Sequence, residues 1–255
     1  GATPIANHQF FTRLGQKIIT NMTVMTQAGK LYELDMRLRP SGNSGPLVTS
    51  LTAFQEYQRE KAWTWEHQAL TRARVVVGDS EITRALNAEV REALSRPRDR
   101  DALAREVLEM RTRMFKEKAP PQGTFDIKQS RGGIIDVEFL AQFLMLANAH
   151  HHPQILHSAI PKTLMALRQA GLLDSESYKT LDQAYALLRL VENRLRLMHD
   201  RSENRIGPDP VLRHRLAKLC HLPEGEQIVE VLSRHAKAVY GIYRRELAVV
   251  DHTDA

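Results

Sequence analysis

In the stretch LYELDMRLRPSGNSGPL, Leu31 to Leu47, the residues Glu33, Asp35, Arg37 and Arg39 recur at two-residue steps. Alternate side chains of an extended segment share a face, so two carboxylates and two guanidiniums would project together, opposite Tyr32, Leu34, Met36 and Leu38. Asp35 could hold a divalent cation, and Arg37 and Arg39 are bidentate donors suited to phosphate oxygens. The turn that follows presents Ser41, Gly42 and Asn43, with Gly42 and Gly45 letting backbone N–H groups approach a ligand closely. Acid, metal, guanidinium and open backbone are what phosphoryl or nucleotidyl transfer needs, because that chemistry is mostly positioning and charge stabilisation. The plainer reading is a solvated strand face with cross-strand ion pairs.

A second group lies in FDIKQSRGGIIDVEFLAQFLML, Phe125 to Leu146. Lys128 could reach a phosphate, with Gly132 and Gly133 giving close backbone approach. Asp136 and Glu138 fall in the first turn of the helix expected there, where acids favour the helix dipole. They would repel an anion at that end, so a metal or an arginine from another part of the chain is their expected partner. In AWTWEHQALTRARVV, Glu66, Arg72 and Arg74 could line a site, and Trp63 or Trp65 could stack on a base, although tryptophans at such spacing usually fill a core. His150, His151, His152 and His157 read as a helix-end cluster, because adjacent side chains on a helix do not converge on one metal. Cys220, in an apolar stretch, reads as core filling.

The elements that must position these residues are mainly helical. Helical spacing of Phe11, Leu14, Ile18 and Ile19 predicts a helix over 8–22, and two strands are expected around Gln27-Ala28-Gly29-Lys30. The span from Leu47 to Asp79 is expected to be mainly helical. Asp79 or Ser80 then caps a helix to about Arg96, and Asp99 caps another after the break at Pro97. Beyond the Pro120 to Gly123 break come a helix after Gly133, one from about Pro161 ended by Gly171, and a long one from Ser175 to Asp200. Two more are expected, at 209–220 and 224–249. In the long helix, Leu181, Tyr185, Leu188, Val191, Leu195 and Met198 form one apolar stripe, with Arg189, Asn193 and Arg196 facing away, the pattern of a bundle helix.

The bulk composition narrows the class. The chain has 255 residues, 42% hydrophobic and 26% charged, the balance of a globular protein. No apolar run approaches the roughly 18–20 residues of a membrane span, and no signal pattern opens the chain, so a cytoplasmic protein without membrane partners is expected. One cysteine excludes an intrachain disulfide framework. A net charge of +6 favours anionic partners. A nucleic-acid partner would rest on charge alone, and none is expected.

YELDMRLRPSGNSGPLV, AWTWEHQALTRARVVVGD and DIKQSRGGIIDVEFLAQFL, in this order, resemble the nucleotidyltransferase and following helical domain of bacterial glutamine synthetase adenylyltransferase, from about Phe10 to Leu247. The Trp-x-Trp-Glu-His form is closer to the adenylylating, C-terminal half of that bifunctional enzyme than to its adenylyl-removing half. The resemblance implies a polymerase-beta-like α+β remnant with a short hairpin over 1–100, followed by a helical bundle over 101–255, mainly α overall. It further implies transfer of AMP from ATP to a tyrosine of glutamine synthetase, with Mg2+, under control of a PII signalling protein. By position Asp35 matches the third of three metal carboxylates. The family's Gly-Ser-Asp-x-Asp segment would lie upstream, so the chain is read as a piece of the protein, with Gly1 a cloning remnant. Such a piece is expected to be inactive alone and to bind Mg2+ and ATP weakly. The alternatives are the adenylyl-removing half of the same enzyme, or a non-catalytic docking module for glutamine synthetase or PII.

Overall fold

Helix starts fall where a side chain can satisfy free backbone N–H groups. Ser50, Asp79, Asp99 and Asp209 each accept a hydrogen bond from a first-turn N–H, and each precedes a helix. In the computed structural model, which describes residues 4–249 apart from 28, 31, 200–202 and 224–226, the chain is mainly α. The helices are α1 (Asn7–Thr23), α2 (Leu51–Glu60), α3 (Thr64–Leu70), α4 (Ser80–Leu94), α5 (Arg100–Lys118), α6 (Ile134–Asn148), α7 (Ile160–Gln169), α8 (Ser175–His199), α9 (Pro210–Leu219) and α10 (Ile228–Glu246). Two short antiparallel ladders, β1 (Met25–Thr26) with β2 (Gly29–Lys30) and β3 (Phe125–Asp126) with β4 (Arg205–Ile206), and two 3-10 turns, Gly42–Ser44 and Pro153–Ile155, complete the described elements.

The core belongs to the second half. α6 is apolar on nearly all sides, and Val137, Leu140, Ala141 and Phe143 are fully buried because α5, α7, α8 and α10 surround it. The stripe on α8 is the expected one: Leu181, Leu188, Val191 and Leu195 are all 0% exposed, and Met198 packs partly against the core. Gly132 turns the chain into α6 at φ +76°, and a Cβ there would lie 1.8 Å from the Ala236 carbonyl of α10. Gly132 therefore brings the chain against another helix's backbone and Gly133 against the carbonyls of its own loop, Ile127, Lys128 and Ser130, where the sequence suggested close approach to a phosphate.

The first half departs further from expectation. The strand expected through Leu31 to Leu38 is irregular from Tyr32 to Met36, and Ala28 and Leu31 lie outside the described residues. Tyr32, Leu34 and Leu38, expected on a core face, are 58%, 37% and 69% exposed. On α1, Phe11, Leu14 and Ile18 are likewise exposed, with no buried residue on that helix. Alternation specifies a buried face only when a second layer lies against it, and among the described residues none does. Trp63 is 70% exposed and Trp65 half-buried, against the core placement expected of both. The segment 71–79 is non-helical, so Asp79 starts α4 after a loop. The ends expected at Asp200 and Glu224 lie outside the described residues.

Candidate functional site

Asp35 and Arg37 meet although no ladder holds them. The Arg37 guanidinium donates from Nε to Oδ1 at 2.9 Å and from Nη2 to Oδ2 at 2.6 Å, while the Arg37 backbone N–H donates to Oδ1 at 3.0 Å. This two-residue fork needs only local chain geometry, which explains its survival in irregular backbone. The Arg37 hydrogen bonds hold the Asp35 carboxyl at about 2, well below its ordinary 3.8. Both side chains are exposed. Asp35 is thus an ionised, solvent-facing carboxylate with a fixed orientation.

Arg39 does something different. Its guanidinium donates to three backbone carbonyls, Met36 at 2.7 Å, Gly45 at 3.2 Å and Asn43 at 3.2 Å, and so closes the turn on itself. Within the turn Ser41 and Gly42 are both left-handed, with φ of 60° and 55°. Gly45 cannot carry a side chain, since a Cβ would fall 1.9 Å from the Pro40 carbonyl. Arg39 is committed to shaping the loop that carries Ser41, Gly42 and Asn43.

The turn is bolted to the helices by a residue the sequence reading passed over. Tyr57, on α2, accepts the Ser41 N–H at 3.0 Å and donates its own proton to Glu66 Oε1 at 2.7 Å. The other Glu66 oxygen accepts the Trp63 N–H at 2.9 Å, at the start of α3. Desolvation, helped by the Glu66 carboxylate, pushes the Tyr57 hydroxyl above its ordinary range, which keeps it a donor. A tyrosine in an amphipathic helix carries no sequence mark of such a role. Leu38 and Arg74 then share the wall of a cleft of about 380 Å³ with Ser50, Phe54 and Asn87. The first and third groups of residues are therefore brought together.

The third group also reaches the second. Arg72 pairs with Glu138 at 3.1 Å, Tyr185 donates to the same Glu138 oxygen at 3.0 Å, and Gln68 donates to Gln142 at 3.3 Å, joining α3 to α6 and α8. Asp136 is buried against Arg111 of α5. An arginine is thus the partner of both acids, one of the two partners expected for them, although only Asp136 lies in the first turn of α6. Lys128 is placed elsewhere: its Nζ lies 2.9 Å from Glu192, a fully buried carboxylate of α8 also flanked by Arg189 and Arg196. The first of these arginines sits 2.8 Å from Oε2 without the alignment of a hydrogen bond. Three cations around one acid leave this spot net positive. Asp126, whose side chain caps the Lys128 and Gln129 N–H groups, fixes the loop in between.

Residues 1–114 match the family described as glutamate-ammonia ligase adenylyltransferase, the ligase being glutamine synthetase, and residues 101–245 match the family described as GlnD PII-uridylyltransferase. The chain is 39% identical over 247 residues to the bifunctional glutamine synthetase adenylyltransferase/adenylyl-removing enzyme of Xanthobacter autotrophicus, covering 97% of this chain and 25% of that protein. The enzymes of the same name from Pseudomonas aeruginosa and Nitrosococcus oceani are 46% and 48% identical over 78% and 77% of the chain, and 22% and 20% of their own lengths. The chain thus spans a fifth to a quarter of the relatives it matches. With the Asp35 to Gly45 wall, the Trp-Glu-His helix and the Gly-Gly entry to α6 all inside these matches, the chain belongs to the bifunctional glutamine synthetase adenylyltransferase/adenylyl-removing enzyme family, as one segment of it.

Proposed function

We propose that this segment forms one wall of a nucleotidyl-transfer site that moves AMP from ATP to a tyrosine of glutamine synthetase. The observation that carries the reading is the Asp35 carboxylate, kept ionised by the Arg37 fork and set beside an arginine-tied turn of left-handed residues. In this reading Asp35 is the metal-ligating acid, Arg37 orients it, and Arg39 shapes the turn whose Ser41, Gly42 and Asn43 face the nucleotide. Mg2+ suits a carboxylate of this kind, but takes near-octahedral oxygen ligands. Among the described residues no group of three His, Cys, Asp or Glu is placed to hold a metal. Asp35 is, in this reading, one ligand of a set that needs other carboxylates beyond those the described residues bring to it.

The assignment carries a division of labour, residues 1–100 belonging to the catalytic part and 101–255 to a helical part. Lys128, in this scheme, serves the phosphate side only where Glu192 releases it, since their pairing otherwise neutralises a buried acid. The Trp63-x-Trp65-Glu66-His67 form supports the adenylylating half over the adenylyl-removing half. Glutamine synthetase is the substrate partner, supported by the names of the relatives, and the reaction belongs to the cytoplasm; no described helix is long and apolar enough to cross a membrane. A second reading is favoured by one finding: the match of 101–245 to a PII-uridylyltransferase family supports the helical part as a docking surface for PII.

Asp35→Asn in the full-length enzyme should lower AMP transfer to glutamine synthetase by about a hundredfold or more with unchanged helicity, as expected for loss of a metal ligand. Unchanged transfer, with only AMP removal lost, would assign the segment to the other half. Both activities unchanged would refute the site. Calorimetric titration of this chain alone with Mg-ATP should show no micromolar binding, and micromolar affinity would overturn the reading of an incomplete ligand set.

A further inference from the structure

A cleft of about 590 Å³ opens between α5, α6 and α10, none of which carries a residue assigned to nucleotidyl transfer. Its walls include Arg111, Arg131, Arg244, Tyr240 and Tyr243, against a single acid, Asp136. That acid is already spent, since it accepts from Arg111 Nε and, at 2.5 Å, from the Gly132 N–H. The lining is therefore net cationic. Arg111 and Tyr243 are 5% and 2% exposed, and each carries a buried polar atom without a hydrogen-bond partner, Nη1 and Oη. A buried donor left unmatched costs about 1–3 kcal/mol, so two such groups on residues that line one cleft are a standing demand for an acceptor. Burial pushes the Tyr243 hydroxyl well above its ordinary range, which keeps its proton available.

The rest of the wall describes the body of the ligand. Phe115, Leu108, Leu247 and Val249 supply apolar surface, and Tyr240 stacks on Tyr243 with ring centroids 6.3 Å apart. The exposed Arg131 lies over the Phe115 ring at 4.6 Å and the Tyr240 ring at 5.1 Å, and donates to the Tyr240 hydroxyl. Nη1 and Oη are shielded from solvent, so a ligand reaches them by displacing a neighbouring side chain. The lining arginines exposed to solvent, Arg131 and Arg244, are the side chains placed to give way. The volume falls within the roughly 300–1,000 Å³ of small-molecule sites, too roomy for a bare inorganic anion. Two donors match the two oxygens of a carboxylate.

We propose that this cleft is a second ligand site, for a small organic carboxylate whose head accepts from Arg111 Nη1 and Tyr243 Oη and whose apolar body lies against Phe115, Leu247 and Val249. It does not depend on the assignment of Asp35.

The test is calorimetric titration of the chain with sodium phenylacetate, with 2-phenylethanol and inorganic phosphate as comparison probes. Phenylacetate should saturate one site, while 2-phenylethanol, which lacks the charged head, and inorganic phosphate, which lacks the apolar body, should each bind at least about tenfold more weakly. Tyr243→Phe should weaken phenylacetate about tenfold, and Arg244→Gln several-fold, with unchanged circular dichroism. If Tyr243→Phe fails to fold, the exposed Arg244→Gln decides alone. Absence of saturable phenylacetate binding, equal affinity for either comparison probe, or wild-type affinity in the folded variants would each overturn the proposal.

Discussion

Removing Asp136 should destabilise the helical half more than any ordinary surface change, because of what it strands. Asp136 is 1% and Arg111 5% exposed. The carboxylate meets Arg111 Nε with one oxygen and the Gly132 N–H with the other, while Arg111 Nη2 donates to the Gln129 carbonyl at 2.9 Å. Asp136→Ala leaves a guanidinium buried without its counter-charge, which costs about 3–5 kcal/mol. At roughly 2–4 °C per kcal/mol for a chain of this size, the melting temperature should fall by about 6–20 °C. Urea unfolding followed by circular dichroism measures the loss as a lower midpoint at unchanged slope. The mechanism has a sharper signature in the pair Arg111→Met with Asp136→Leu. Replacing both charges by apolar groups removes the stranded ion, so the double variant should recover stability up to the ~1–3 kcal/mol left by each of two unpaired backbone groups, the Gly132 N–H and the Gln129 carbonyl. A single variant within about 0.5 kcal/mol of wild type would refute the reasoning. A double variant as unstable as the single would show that packing is what was lost.

Three further outcomes follow from the geometry. The Asp35 carboxyl should titrate near 2 by carbon NMR, and Arg37→Gln should return it towards 3.8. Because the folded value is depressed, whatever the pair contributes is present above the ordinary carboxylate range and lost as pH falls towards 2. Titration at the ordinary value in the parent chain would contradict the fork. Tyr57→Phe removes the acceptor of the Ser41 N–H and the donor to Glu66, so exchange of the Ser41 amide should accelerate at a stability cost of about 1–2 kcal/mol; unchanged exchange would detach the turn from α2. Gly132→Ala should cost more than the ~1–2 kcal/mol of a left-handed alanine, since the Ala236 carbonyl must also move, and a midpoint shift within that strain alone would mean α10 yields freely.

The helices were legible because their signals are local. Asp79, Asp99 and Asp209 announce starts, Pro97 and the Pro120 to Gly123 run mark stops, and the α8 stripe repeats often enough to fix its buried face. The Asp35 and Arg37 pair needs only local geometry too, since a two-residue spacing suffices to join them, although the spacing alone suited Arg37 equally to a phosphate. The strand around them was not, because alternation describes a face and carries no information on whether anything covers it. The β3 and β4 ladder joins Phe125 to Ile206, too far apart in the chain and too short for a periodic signal.

Residue type and spacing alone determined the mainly α class, the order of the helices and the presence of an acid followed by two arginines before a glycine turn, while the family came from the likeness of three whole motifs to known relatives. Only the tertiary structure decided what each of those charges does. Arg37 grips Asp35, but Arg39 closes its own turn on three carbonyls; Lys128 serves Glu192 and Asp136 serves Arg111. The physical reason is that a charged side chain takes the partner that best repays its desolvation, and in three of these four cases that partner is a backbone carbonyl or a side chain on another element.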